Sequence, residues 1–203
     1  MLHGAAAHIN PAKSLDCQHG VEHILFGFDH LLFVLALILI VRSGRVLLWT
    51  ITAFTLAHSI TLNLATLGVV ELPAPPVEAA IALSIVLLAC EIIRRRRGQA
   101  SLIARWPWLV AFAFGLLHGL GFAGALTEIG LPRGDIPLAL FAFNVGVEIG
   151  QLVFVAAVLG VLACIERIDF PPVVERHALS IATYAIGTMA AFWFIERLAG
   201  FAI

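Results

Sequence analysis

Residues 23–40, HILFGFDHLLFVLALILI, decide the class of this chain. From Leu31 onward the stretch is unbroken and apolar, while His23, Asp29 and His30 interrupt its first half. Inside a bilayer a helix satisfies every backbone donor and acceptor within one segment, so the run reads as a membrane helix. An acid and two imidazoles on such a helix must turn away from lipid, and residues placed this way commonly mark a functional path.

The rest of the chain has the same character. Of 203 residues 61% are hydrophobic and only 12% charged, and the mean hydropathy is +1.02. That balance leaves no polar coat for a soluble domain and points to a polytopic membrane protein. A formal net charge of −1 offers no basic surface for nucleic acid. Cys17, Cys90 and Cys164 are odd in number and far apart, so no disulfide framework is expected, and Cys90 and Cys164 read as small buried hydrophobes within apolar runs.

A hydrocarbon core of about 30 Å takes about 20 helical residues. Six segments qualify: about 20–41, 46–68, 77–94, 107–127, 136–165 and 177–198. Pro, Gly and charge clusters separate them, at RSGR 42–45, ELPAPP 71–76, RRRRGQASLIARWP 94–107, GLPRGD 130–135 and ERIDFPPVVER 166–176. The expected fold is an all-α bundle of six transmembrane helices forming a single domain over 20–203. Residues 1–19 are expected as a short exposed tail; they lack the basic and apolar regions of a signal peptide, so the first helix would act as its own targeting signal.

If the helices alternate, Arg42, Arg45, Arg94 to Arg97, Arg105, Arg167 and Arg176 fall on one side, and Lys13, Arg133 and Arg197 on the other. Nine against three puts both termini on the non-cytoplasmic side by the positive-inside rule. The expected location is a bacterial inner membrane, crossed several times.

Depth then singles out a group. At about 1.5 Å per residue, Asp29 and His30 lie about 14 Å in from the non-cytoplasmic mouth. His58 lies about 18 Å into the second helix, and His118 and Glu148 about 17 Å into the fourth and fifth. Four helices therefore place a His or an acid near mid-membrane. Taken as one continuous helix, the first segment aligns His19, His23 and His30, with Glu22 and Asp29 as a second stripe beside them. Asn144, Glu148 and Gln151 share a face of the fifth helix, Thr55, His58, Ser59 and Asn63 cover two turns of the second, and Gly115, Gly119, Gly121 and Gly124 flank His118. Buried carboxylates need compensating charge, and a cation held by imidazoles supplies it. Imidazole with carboxylate suits a divalent transition metal, Ni, Co, Zn or Cu. Glu91 reads as counter-ion to the neighbouring arginines, and Glu78 as a residue at the opposite mouth.

HGVEHILFGFDHLLFVLAL, FTLAHSITLNLA, FGLLHGLGFAGAL and FNVGVEIGQL together resemble the HupE/UreJ family of hydrogenase and urease accessory membrane proteins, in its second, UreJ-like branch, over about residues 19–198. The resemblance implies a polytopic protein associated with nickel or cobalt uptake. It assigns His23, Asp29 and His30 to the metal motif of the first helix, and His58, His118 and Glu148 to the later polar motifs. Helix four here reads LHGLG, with no acid after the histidine where nickel permeases of the family have AHG-x-E. A homo-oligomer or a metalloenzyme-maturation partner is compatible with the family, and no motif selects either.

Three functions fit these residues. A permease would use Asp29, His30, His58, His118 and Glu148 as a transient site, reached past His19 and His23. An intramembrane zinc hydrolase would use Asp29 or Glu148 as base, with Ser59 or Asn144 near an oxyanion. A non-transporting accessory protein would only bind the metal. The permease is the leading expectation.

Overall fold

Prolines start helices here as often as they separate them. The structure is a computed structural model and describes residues 11–127, 136–168 and 171–200. It contains α1 (Pro11–Phe26), α2 (Phe28–Ile40), α3 (Gly44–Thr66), α4 (Ala74–Arg96), α5 (Leu102–Arg105), α6 (Pro107–Thr127), α7 (Ile136–Glu166) and α8 (Pro172–Ala199), and no strand among the described residues. A proline in the first turn lacks only an N–H that would have had no helical partner. Pro75 and Pro76 therefore open α4 instead of delaying it to residue 77, and α8 begins at Pro172 instead of 177. Likewise α1 starts at Pro11, within the stretch expected as a tail. Residues 1–10 of that tail, the 130–135 break, residues 169–170 and the side chains of Lys13, Arg133 and Arg176 lie outside the described residues.

The first expected helix is not continuous. It breaks at Gly27, and its two halves, Cys17–Phe26 and Phe28–Ile40, meet at 73°. A side chain at Gly27 would press on the His23 carbonyl and on the His30 ring, which is why a residue without Cβ sits at the corner. The bend also removes the premise of one aligned His stripe on a straight helix.

Among the described residues, four helices are long and apolar enough to cross a membrane: α3, α4, Pro137–Glu166 of α7 and His177–Ala199 of α8. The bent α1–α2 pair makes a fifth if it counts as one span. In α6, which runs for 21 residues, the part whose side chains are described, Pro107–Gly121, is apolar and about 22 Å long.

Without a hydrophobic force between helices in lipid, small residues set which pairs come close. A methyl at Gly115 would land on the Phe54 carbonyl, and one at Gly119 on the His58 carbonyl, so α6 lies backbone-to-backbone on α3. Gly20 and Gly146 do the same for α1 on α7. Both pairs run in the same direction, since Gly115 and Gly119 follow Phe54 and His58, and Gly146 and Gly150 follow Cys17 and Val21. In contrast, α4 and α8 run in opposite directions, joined by Arg197 to Glu78 at one end, Gly187 against Ala89, and Arg96 to Ser180 at the other. At the centre is α2, whose Phe33, Leu37 and Ile40 pack with Phe54, Ile85 and Leu88.

Arg42, Arg95 and Ala104 line one cleft, so the ends of α2 and α4 and the starts of α3 and α6 share an arginine-rich end. Trp106 and Trp108 are exposed there, as interfacial aromatics are. Glu91 pairs with Arg94 at 3.3 Å, its expected role. The cysteines differ from expectation: Cys90 and Cys164 are exposed on their helices and Cys17 is half-buried. Hydrocarbon accommodates a thiol as readily as a protein core does, so an apolar run does not imply burial in a membrane protein.

Candidate functional site

Two close helix pairs and the bend bring four imidazoles together. Through Gly119, α6 sets His118 beside the helix that carries His58. His23 comes from α1, held on α7, and His30 from the first turns of α2 beyond the corner. Ring centres are 4.7 Å apart for His23–His30, 4.9 Å for His30–His118, 5.7 Å for His30–His58 and 6.1 Å for His23–His58. Phe54 and Phe33 wall the nest: Phe54 lies parallel to His58 at 6.1 Å and edge-on to His118 at 5.1 Å, and Phe33 is 5.3 Å from His118. His30, His58 and His118 are buried and His23 is half-buried.

The hydrogen bonding of the nest is one-sided. His118 Nδ1 lies 2.8 Å from the Phe114 carbonyl oxygen, which only accepts, so Nδ1–H donates and Nε2 carries the lone pair. A metal-ligating histidine is commonly held in place by such a hydrogen bond from its other ring nitrogen. His118 Nε2, His30 Nε2 and both ring nitrogens of His58 are buried with no hydrogen-bond partner. Each such group costs about 1–3 kcal/mol unless something satisfies it.

A test of fit follows from ring geometry. An imidazole nitrogen about 2.0–2.1 Å from a metal puts its ring centre about 3.2 Å away, and two rings on one tetrahedral ion stand about 5 Å apart. The two shorter separations match this, whereas His58 stands farther than this from both His23 and His30. As the side chains stand, no group of three or more His, Cys, Asp or Glu among the described residues is arranged to hold an ion. The donor set fits a transition metal, but its coordination sphere is not closed.

The other expected residues lie around the nest. Asp29 accepts a 2.8 Å hydrogen bond from Arg197 Nη2. Glu148 Oε1 accepts from Thr52 at 2.7 Å, and its Oε2 is buried without a partner. Gln151 accepts from Thr55 at 2.8 Å. These two rungs join α7 to α3 about 5 and 9 Å from His58, toward the arginine-rich end. Asn144 and Asn63 donate to their own helices, at Leu140 and Ser59. Glu22 accepts from Gln18 and is half-buried, as Ser59 is, while His19 is exposed. Thr55 and Ser84 also bond carbonyls within their own helices, as helical hydroxyls commonly do.

Sequence reading missed Arg197 as the partner of Asp29, and Thr52 as that of Glu148. A signal existed for the first: an acid in a membrane helix needs a counter-charge, and Arg197 is the basic residue at the matching end of the last helix.

No curated protein and no solved structure gives a significant match to the chain. The family model described as HupE / UreJ protein matches residues 7–197, nearly the whole length, and the same residues contain the nest and both rungs. The chain is therefore a multi-pass, all-helical membrane protein that belongs to the HupE/UreJ family.

Proposed function

We propose that this protein is a permease for a divalent transition metal of the nickel or cobalt type, with His23, His30, His58 and His118 as its transient site. The observation that carries the reading is the set of buried, partnerless nitrogens on His30, His58 and His118, from three separate helices, with the His58 and His118 rings centred 5.7 and 4.9 Å from that of His30. A core that needed only packing would not retain them at that cost. Asp29 and Glu78 lie at one mouth, and the Gln151–Thr55 and Glu148–Thr52 rungs lead from the nest toward the arginine-rich end. Polar groups therefore stand on both sides of the nest, as passage requires. The cation would meet carboxylates, then imidazoles, then the polar groups of the two rungs.

In this reading the chain crosses a bacterial inner membrane six times, with bent α1–α2 as the first pass and α6 as the fourth. Both termini are non-cytoplasmic, by the positive-inside rule. The parallel pair α3–α6 and the antiparallel pair α4–α8 support this, because alternation gives passes two and four like directions and three and six opposite ones. A hydrolase would need a free carboxylate beside the metal, whereas Asp29 is taken by Arg197 and Glu148, though its Oε2 is free, is joined to α3 at Thr52, about 9 Å along the helix from His58.

The test is metal analysis of purified protein alongside uptake of Ni²⁺, Co²⁺, Zn²⁺ and Cu²⁺ into proteoliposomes. Saturable uptake of one ion, lost in His30→Ala, is the expected result. Stoichiometric metal that co-purifies without uptake would instead identify a resident cofactor, and neither metal nor uptake would remove the site.

A further inference from the structure

Arg197, in the last turn of α8, bridges two other helices at the mouth of the nest. Its Nη2 is 2.8 Å from Asp29 Oδ2, its Nε is 3.5 Å from Glu78 Oε2, and its Nη1 donates to the Glu78 carbonyl at 2.9 Å. Asp29 directly precedes His30 and stands two residues past the Gly27 corner. Glu78 lies in the second turn of α4. One guanidinium thus ties the starts of α2 and α4 to the end of α8, and the residue next to its anchor contributes a ring to the nest.

These contacts suit exchange better than permanent fixation. The side chains are 21% exposed for Arg197, 23% for Asp29 and 45% for Glu78, and neither carboxylate is gripped by a two-pronged fork. Ion pairs that keep some contact with water are held less tightly than fully buried ones. The Trp193 ring, one turn earlier on α8, lies 6.0 Å from the guanidinium carbon and gives the cation a second seat. Arriving divalent ions would meet two carboxylates that share a single tethered positive charge.

We infer that Arg197 is a tethered surrogate cation that latches the mouth of the histidine nest, and that exchange of its guanidinium for a divalent metal on Asp29 and Glu78 opens the way to His30 and His58. The inference rests on the permease reading for the identity of the arriving ion, whereas the latch itself is a statement about access.

Access is measured directly by carbethoxylation of His30 and His58 with diethyl pyrocarbonate, followed residue by residue by mass spectrometry, on full-length protein in lipid nanodiscs without added metal. A closed state that opens 0.1–10% of the time is typical of such devices, so Arg197→Gln is expected to raise labelling of both residues about tenfold or more. Arg197→Lys, which keeps the charge, should label like wild type. Glu78→Gln, which frees one of the two anchors, should fall between them and serves as the second variant if Arg197→Gln does not fold. Unchanged labelling in folded Arg197→Gln or in Glu78→Gln overturns the latch, whatever uptake shows. Raised labelling with saturable nickel uptake that increases at sub-saturating concentration supports it. Raised labelling with no uptake by any variant keeps the latch as the guard of a binding site and overturns the permease reading alone.

Discussion

Replacing Gly119 with alanine tests whether the α3–α6 contact builds the nest. The added methyl would overlap the His58 carbonyl and the Thr61 hydroxyl. Backbone cannot yield as the end of a flexible side chain does, so α6 must withdraw from α3 by about 1 Å to restore ordinary contact. Overpacking of this kind costs about 1–3 kcal/mol. At about 2–4 °C per kcal/mol for a chain of this size, the melting temperature in mild detergent should drop by about 2–12 °C. The same withdrawal carries His118 away from His58, and loss of a positioning contact typically weakens a metal site about tenfold or more. Nickel titration by calorimetry should show that loss together with the lower melting temperature. Two other glycine substitutions calibrate the result. Gly121→Ala meets the terminal methyl of Ile81, which can rotate aside, and makes ordinary contact with Val77, while Gly160→Ala on α7 meets nothing within 4 Å. The second should be neutral, or stabilise by up to about 1 kcal/mol through helix propensity. If Gly119→Ala melts and binds nickel like Gly160→Ala, the backbone contact does not position the nest and the reasoning fails.

Three other substitutions separate the surrounding contacts. Gly27→Ala presses on the His23 carbonyl and the His30 ring, so it should lower nickel affinity while disturbing helical content by circular dichroism very little. Thr55→Val removes the donor to Gln151 between α7 and α3, with an expected loss of about 0.6–2 kcal/mol in detergent unfolding. Asp29→Asn and Glu148→Gln should differ in sign. Asp29→Asn weakens the tie to Arg197 and should lower the melting temperature. Glu148→Gln removes a carboxylate whose Oε2 has no partner, so metal-free protein should be as stable or more so, with uptake impaired.

Much of the helix layout was legible because membrane helices leave strong marks. Apolar runs and proline-rich breaks place α3, α4, α6 and α7 to within a few residues, and the errors fall where proline opens a helix and was read as a spacer, at Ala74 and at Pro172. The bend at Gly27 left no comparable mark. Glycine is frequent in membrane helices and a straight reading of residues 20–41 satisfies hydropathy, so only the three-dimensional crowding between His23 and His30 reveals why that position lacks a side chain. The number of crossings suffers for the same reason, since hydropathy counts residues and not direction.

The candidate site shows a similar division. Depth along separate helices was enough to select His30, His58 and His118 as neighbours, because equal depth in a narrow bundle leaves little room to be apart. It was not enough to say what each acid does. Asp29 and Glu148 looked alike in sequence, yet Asp29 is neutralised by a guanidinium at the mouth and Glu148 is met only by a hydroxyl, with one buried oxygen unanswered. That difference depends on how α8 and α3 pass each helix, which one sequence does not encode locally. In the permease reading the difference matters for passage: the acid at the mouth already has a cation of its own, and the acid beyond the nest does not. An arriving ion would have to displace a positive charge at the first and would find an open carboxylate oxygen at the second.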